Sequence, residues 1–170
     1  MRRILFIIAL AAVCCAGAAA QGRTELLKQK LEGHRVSFNY SWTTTDKVPV
    51  RQSGTAIIDG DCYAIRGGGL DIYCDGQTKW TVDTEAREVY VEPSGGVRDF
   101  IAAPAEWLDK VKDLEISEGS VSGIFTETSA KKDFKFKFTS IRTSPLSGST
   151  DGFSFDTSAL GADWVVTDLR

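Results

Sequence analysis

The 170-residue chain contains a single histidine, His34, and no Cys-x-x-Cys pair outside its first twenty residues. Histidine- and cysteine-rich metal sites are excluded on that ground. No glycine-rich loop stands between a strand and a helix, since Gly67-Gly68-Gly69 falls inside a hairpin pattern; a phosphate cradle of that kind is absent. No Gly-x-Ser-x-Gly elbow for a serine nucleophile occurs either. The carboxylates alternate with apolar residues, the mark of a solvated strand face, which leaves only a pair of acids from distant strands as an enzymatic option. The chain is expected to be non-catalytic, with no cofactor and no metal.

An excess of positive charge is also missing. Residues 1–20 contain Arg2 and Arg3 and no acid, so the remainder carries 18 basic against 23 acidic residues, a net charge of −5. That balance argues against nucleic acid as a partner and offers no basic face to an anionic membrane.

The start of the chain reads as an export signal. Arg2 and Arg3 precede an apolar run from Ile4 to Cys15, and Ala16-Gly17-Ala18-Ala19-Ala20 supplies small residues for cleavage. Ala11-Ala12-Val13 lacks the Leu-x-small spacing that would make Cys14 or Cys15 a lipid-modified residue. Residues 1–20 are therefore expected to be a signal peptide, with a mature chain from Gln21, a single domain over 21–170, and a periplasmic location.

The stretch from Gly54 to Glu92 organises the rest. It reads as four strands, Gly54–Ile65, Leu70–Cys74, Thr78–Val82 and Arg87–Glu92, joined by Gly- and Asp-rich turns. A three-residue Asp75-Gly76-Gln77 loop opposes Ile72 to Trp80 and Leu70 to Val82, so that the apolar residues share one face. A turn centred on Gly68 likewise sets Cys62 opposite Cys74. These thiols either form one bridge or remain two small buried hydrophobes.

Upstream, Arg23–Glu32 reads as an amphipathic helix through Leu26, Leu27 and Leu31, stopped by Gly33. His34 then serves as a polar contact at the helix C-terminus. Val36, Phe38, Tyr40 and Trp42 alternate with Ser37, Asn39, Ser41 and Thr43, a clear strand. Downstream, Pro93–Arg98 is a loop and Asp99–Ala103 an apolar patch without alternation. Pro104, Trp107, Leu108 and Val111 follow at helical spacing. That helix is either a plug of the core or a movable cover over a ligand site. Further strands are expected at Leu114–Glu118, Val121–Thr128, Phe134–Thr143 and Gly152–Phe155, with a last short strand in Asp163–Arg170. The fold class is mainly β (α+β). It is a curved antiparallel sheet forming an incomplete β-barrel, with an N-terminal helix and a short helical cover.

Taken in order, the N-terminal helix, Phe38-x-Tyr40-x-Trp42, Gly54 at the head of a strand, Asp75-Gly76-x-Thr78-x-Trp80 and Phe153-x-Phe155 resemble the periplasmic outer-membrane lipoprotein carrier family, the LolA type. The resemblance implies an open antiparallel barrel whose helical lid closes over a hydrophobic cavity. It implies acylated lipoproteins as cargo, an inner-membrane lipoprotein-release transporter as donor, an outer-membrane acceptor, and a monomer without covalent chemistry. One departure stands out. The family's Arg-Pro pair, whose arginine helps to hold the lid, is absent from Ile58-Asp59-Gly60-Asp61.

On these patterns Phe38, Tyr40, Trp42, Ile58, Ile72 and Trp80 line the apolar interior, with Trp107 and Leu108 on its cover. Two functions of different classes fit: a lipoprotein carrier, or a lipid-binding or envelope-stress-sensing module on the same scaffold that transfers nothing.

Overall fold

Strand β1 (His34–Thr44) shows why this sequence forms a sheet. Val36, Phe38 and Tyr40 are each under 5 % exposed, while Asn39 and Ser41, at alternate positions, are solvated. Such alternation suits a pleated strand with one buried face. The computed structural model describes residue 22 and residues 24–95, 100–127 and 132–170. The expected signal peptide at 1–20, the start at Gln21, Arg23, residues 96–99 of the expected 93–98 loop and 99–103 patch, and residues 128–131, with the expected strand end at Thr128, lie outside the described residues.

Helix α1 spans 24–31 and ends at Gly33, whose φ of 71° provides the left-handed stop. Leu27 packs into the core and Leu31 lies against it, whereas Leu26 is 63 % exposed. The apolar stripe is thus narrower than the three leucines suggest.

Nine more strands follow: β2 (Arg51–Asp59), β3 (Cys62–Arg66), β4 (Leu70–Asp75), β5 (Thr78–Asp83), β6 (Glu88–Pro93), β7 (Lys112–Ser117), β8 (Ser120–Glu127), β9 (Lys132–Pro145) and β10 (Val165–Asp168). They form one mixed ten-stranded sheet in the order β10-β6-β5-β4-β3-β2-β1-β9-β8-β7. It is not closed into a barrel, because β10 and β7 end the order. Only β10 runs parallel to its neighbour, β6. The expected Gly54–Ile65 strand is two strands, split where Gly60 takes a φ of 65°. Gly152–Phe155 is no strand. The expected cover helix is one α turn, α2 (Pro104–Trp107), continued by a 3-10 turn over Leu108–Lys110.

The central meander is slipped by one residue from the expected register, and it is apolar on both faces. Asp75 Oδ1 accepts from the backbone N–H groups of Gln77 (2.8 Å) and Thr78 (2.7 Å), which closes a two-residue turn at Gly76-Gln77. Tyr73 therefore pairs with Trp80, and Ile72 pairs with Thr81. Strand β4 carries apolar residues at both parities, so alternation alone did not decide which would meet Trp80. A second slip occurs at the triple glycine, where Gly67, Gly68 and Gly69 all have positive φ and Gly67 N–H donates to Asp71. Tyr63 rather than Cys62 then opposes Cys74.

These registers divide the core. One cluster holds Val36, Phe38, Tyr40, Ile58, Ile65, Cys74, Phe136 and Phe138, with α1 and residues 100–111 packed over it. We call this side of the sheet the inner face. A second, smaller cluster of Val82, Val89 and Val91 lies on the outer face, packed by Tyr73, Trp80, Phe155, Leu160 and Trp164. The C-terminal segment covers that side. Its start is pinned by Asp59, which is 7 % exposed and accepts from Arg35 Nη1 (3.1 Å), Ser147 N–H (3.2 Å) and the Ser147 hydroxyl. Phe153, 1 % exposed, lies beneath the Arg35 guanidinium. The segment ends as β10 on the edge of β6.

Candidate functional site: an apolar inner face under the 100–111 segment

The inner face begins with the β1 alternation and continues across hydrogen-bonded neighbours. Val36 pairs with Ile58 and Phe38 with Ala56 on β2; Tyr40 pairs with Phe138 and Trp42 with Phe136 on β9; Val121 of β8 pairs with Phe138. Cross-strand partners of one parity share a face, so the register itself assembles a continuous aromatic and aliphatic surface. The rings of Phe38 and Phe138 are 4.6 Å apart and those of Phe136 and Phe138 4.9 Å.

Gly54 makes part of this packing achievable. A Cβ there would lie 2.0 Å from the Arg66 carbonyl oxygen and 2.8 Å from the Tyr40 hydroxyl, so the position admits only glycine. Burial, and then the nearby Asp71 carboxylate, raise the Tyr40 phenol above its ordinary value of 10.0.

Phe100 is the residue that fills the surface. Its ring stacks on Phe125 at 4.8 Å with an interplanar angle of 2°, meets Phe136 edge-on at 4.7 Å, and lies 5.4 Å from Phe138. Leu108, 2 % exposed, reaches the same cluster. Trp107 stands edge-on to Phe125 at 5.4 Å with Lys110 Nζ 4.1 Å above it. The segment is tied to α1 by an ion pair between Lys28 and Asp109.

Of the sequence-predicted residues, Phe38, Tyr40 and Ile58 are buried in the inner cluster, and Trp42 and Ile72 pack against it half-buried. Leu108 joins it from the crossing segment, and Trp107 sits beside it. Trp80 does not belong: the one-residue slip puts it on the outer face with Tyr73. Phe100, Phe125, Phe136 and Phe138 were not among the expected residues. The alternation of Phe134, Phe136 and Phe138 was a usable signal for two of them. Phe100 lies in a patch with no periodicity and had none.

A cleft of about 320 Å³ opens on this face beside the end of α1. Val36, Ile58, Leu31 and Ala105 give it apolar lining, and Glu32, Asp61 and Glu106 add carboxylates. His34 Nδ1 lies 3.3 Å from the Glu32 carbonyl oxygen, a polar contact at the helix end.

The two described thiols are both free. Strand alternation turns Cys74 into the inner cluster, and Cys62, paired with Asp75 and Asp59, to the other side. Burial, then Cys74, push the Cys62 thiol above its ordinary value of 9.0, which reduces its thiolate fraction. Of the two alternatives open from the sequence, the structure has two separate thiols.

Among the described residues no group of three or more His, Cys, Asp or Glu side chains converges as a metal site. No helix among them is long and apolar enough to cross a membrane. Neither a family model nor a curated relative matches the chain.

Proposed function

We propose that this chain is a periplasmic carrier that shields the acyl chains of lipoproteins and passes them from an inner-membrane release transporter to an outer-membrane acceptor. The sheet acts as an incomplete, curved barrel, the inner face as its cavity, and residues 100–111 as its lid. The observation that carries this reading is the placement of Phe100. The 100–111 segment inserts one aromatic ring among Phe125, Phe136 and Phe138, in space that an acyl chain would take when the ring withdraws.

Magnitudes support an exchange of this kind. Fully burying a phenylalanine is worth about 1.5–3 kcal/mol, so withdrawing the half-buried Phe100 costs less than that, and each methylene that enters returns about 0.8 kcal/mol. Four methylenes offset the ring, and an acyl chain has many more. Phe38, Tyr40, Ile58 and Ile72 line the path of the chain, with Trp42 at one end and Leu108 and Trp107 travelling with the lid. The family's lid arginine has no counterpart here. Lys28 on α1, paired with Asp109 on the lid, takes the holding role from the other partner's side.

The experiment is release of a labelled lipoprotein from inner-membrane vesicles. Stoichiometric appearance of a soluble carrier–cargo complex is expected. Binding of an acylated peptide without any release from vesicles would instead identify a lipid-binding or sensing module that does not transfer.

A further inference from the structure

The charge of the whole chain hides a basic surface. On the outer side of β1 and its two neighbours, Thr43 pairs with Arg51 and with Lys135, and Ser41 pairs with Lys137. Alternation sends these three cations to the face opposite Phe136 and Phe138, and all three are exposed. Among the described residues none of them has an ion-pair partner, and neither does Lys47 in the adjoining β1–β2 turn. Two carboxylates, Asp46 and Asp133, stand in the same region against five cations, Lys47, Arg51, Lys132, Lys135 and Lys137. Asp46 pairs with Lys132 (3.5 Å), and Asp133 accepts from the Thr126 hydroxyl (2.6 Å). The negative net charge of the chain thus leaves room for a local excess of positive charge at this end of the sheet.

The same turn exposes aliphatic side chains. Val48 is 82 % exposed and Val50 57 %, with Pro49 between them. Most of the other strongly exposed aliphatics lie elsewhere, on α1 and at the C-terminal edge. Here they sit at a hairpin tip ringed by Lys47, Arg51 and Lys132.

We propose that this tip and the basic face beside it dock the protein on an anionic phospholipid surface. Val48 and Val50 enter the headgroup boundary, while Lys47, Arg51, Lys135 and Lys137 meet lipid phosphates. Charge complementarity selects an anionic partner, and the protruding aliphatic tip favours a bilayer over an acidic protein. A few basic residues and two valines give weak, reversible attachment, since even a full myristoyl chain binds membranes only marginally. The chain's net negative charge elsewhere limits it further. Docking of this kind is separate from cargo binding, which uses the inner face.

Vesicle co-sedimentation of the full mature chain, without any lipoprotein, tests it. The probes are vesicles of phosphatidylcholine alone and with 30 % phosphatidylglycerol. The protein is expected to bind only the anionic vesicles and to dissociate at 0.5 M salt. The Lys135→Glu/Lys137→Glu variant is expected to lose about tenfold or more in apparent affinity. Val48→Asp is expected to weaken binding while leaving the circular dichroism spectrum unchanged. As a second readout, Val48→Trp is expected to give a blue-shifted emission on adding anionic vesicles only. Equal binding to both lipids, unchanged binding by the charge-reversal variant, or no emission shift would overturn the proposal. Retention on a polyglutamate matrix with no vesicle binding would reassign the face to an acidic protein and overturn it equally.

Discussion

Tyr73 and Trp80 oppose each other across β4 and β5, on the face away from Ile72 and Cys74. This one pairing determines which residues can line an interior. It releases Trp80 to the C-terminal segment, where the Tyr73 ring meets Phe155 at a tilt of 34° with centroids 5.6 Å apart, and it leaves Ile72 beside the inner cluster. The slip at Gly67–Gly69, between β3 and β4, separates the two cysteines.

Thiol titration checks that separation directly. Expressed without residues 1–20, the chain is expected to show two free thiols under denaturing, non-reducing conditions, with no gain of stability on adding oxidant. A protected pair would mean that β3 and β4 had slipped by one residue.

Gly54 should be irreplaceable. Gly54→Ala is expected to destabilise by about 3 kcal/mol or more, because its Cβ would overlap the Arg66 carbonyl and crowd the Tyr40 hydroxyl. Gly60→Ala, at a φ of 65° but with open space around it, is expected to cost about 1 kcal/mol. Urea denaturation of both variants measures the contrast.

The β-strands were legible in the sequence for a simple physical reason. Val36 to Trp42 and Phe134 to Phe138 alternate so regularly that only a half-buried strand satisfies them. Registers were not legible, because Tyr73 and Ile72 are both apolar and the choice between them lies with a single side-chain acceptor, Asp75 Oδ1. Trp80 was misassigned for that reason. Phe100 was invisible because its contacts are all long-range and its neighbours carry no period. The outer cluster escaped notice since its cover, Phe155, Leu160 and Trp164, is irregular chain. Charge segregation, too, follows from topology: Arg51 and Lys135 are far apart in sequence and meet only across Thr43.

Asp59 anchors that irregular cover. Removing the carboxylate with Asp59→Ala takes the partner from Arg35 and from Ser147 together and is expected to cost about 3 kcal/mol. Ser147→Ala, which leaves the Arg35 pair in place, is expected to cost about 1 kcal/mol. Hydrogen exchange should show the loss first in residues 147–164.

The Lys28–Asp109 pair gives the 100–111 segment a pH dependence of known sign. Its hydrogen bond to Asp109 raises the Lys28 ammonium above its ordinary value of 10.5. A raised lysine contributes fully below that ordinary value and loses its contribution as pH rises through the higher folded value. Exchange of amides in residues 100–111 is therefore expected to show no change in closure across neutral pH and extra opening in strong alkali. Asp109→Asn is expected to abolish the alkaline step and open the segment modestly at all pH values, as befits an exposed pair.

The central claim is that the inner face accepts an acyl chain once Phe100 withdraws. Titration of a fluorescent long-chain acyl probe into the mature protein tests it most directly, with Ile72→Glu and the exposed Lys30→Glu as variants. A glutamate at position 72 places a charge against the apolar cluster, where burial without a partner costs several kcal/mol. Wild type and Lys30→Glu are expected to bind the probe alike, and a folded Ile72→Glu to lose at least tenfold in affinity. Equal binding by a folded Ile72→Glu variant would contradict the account.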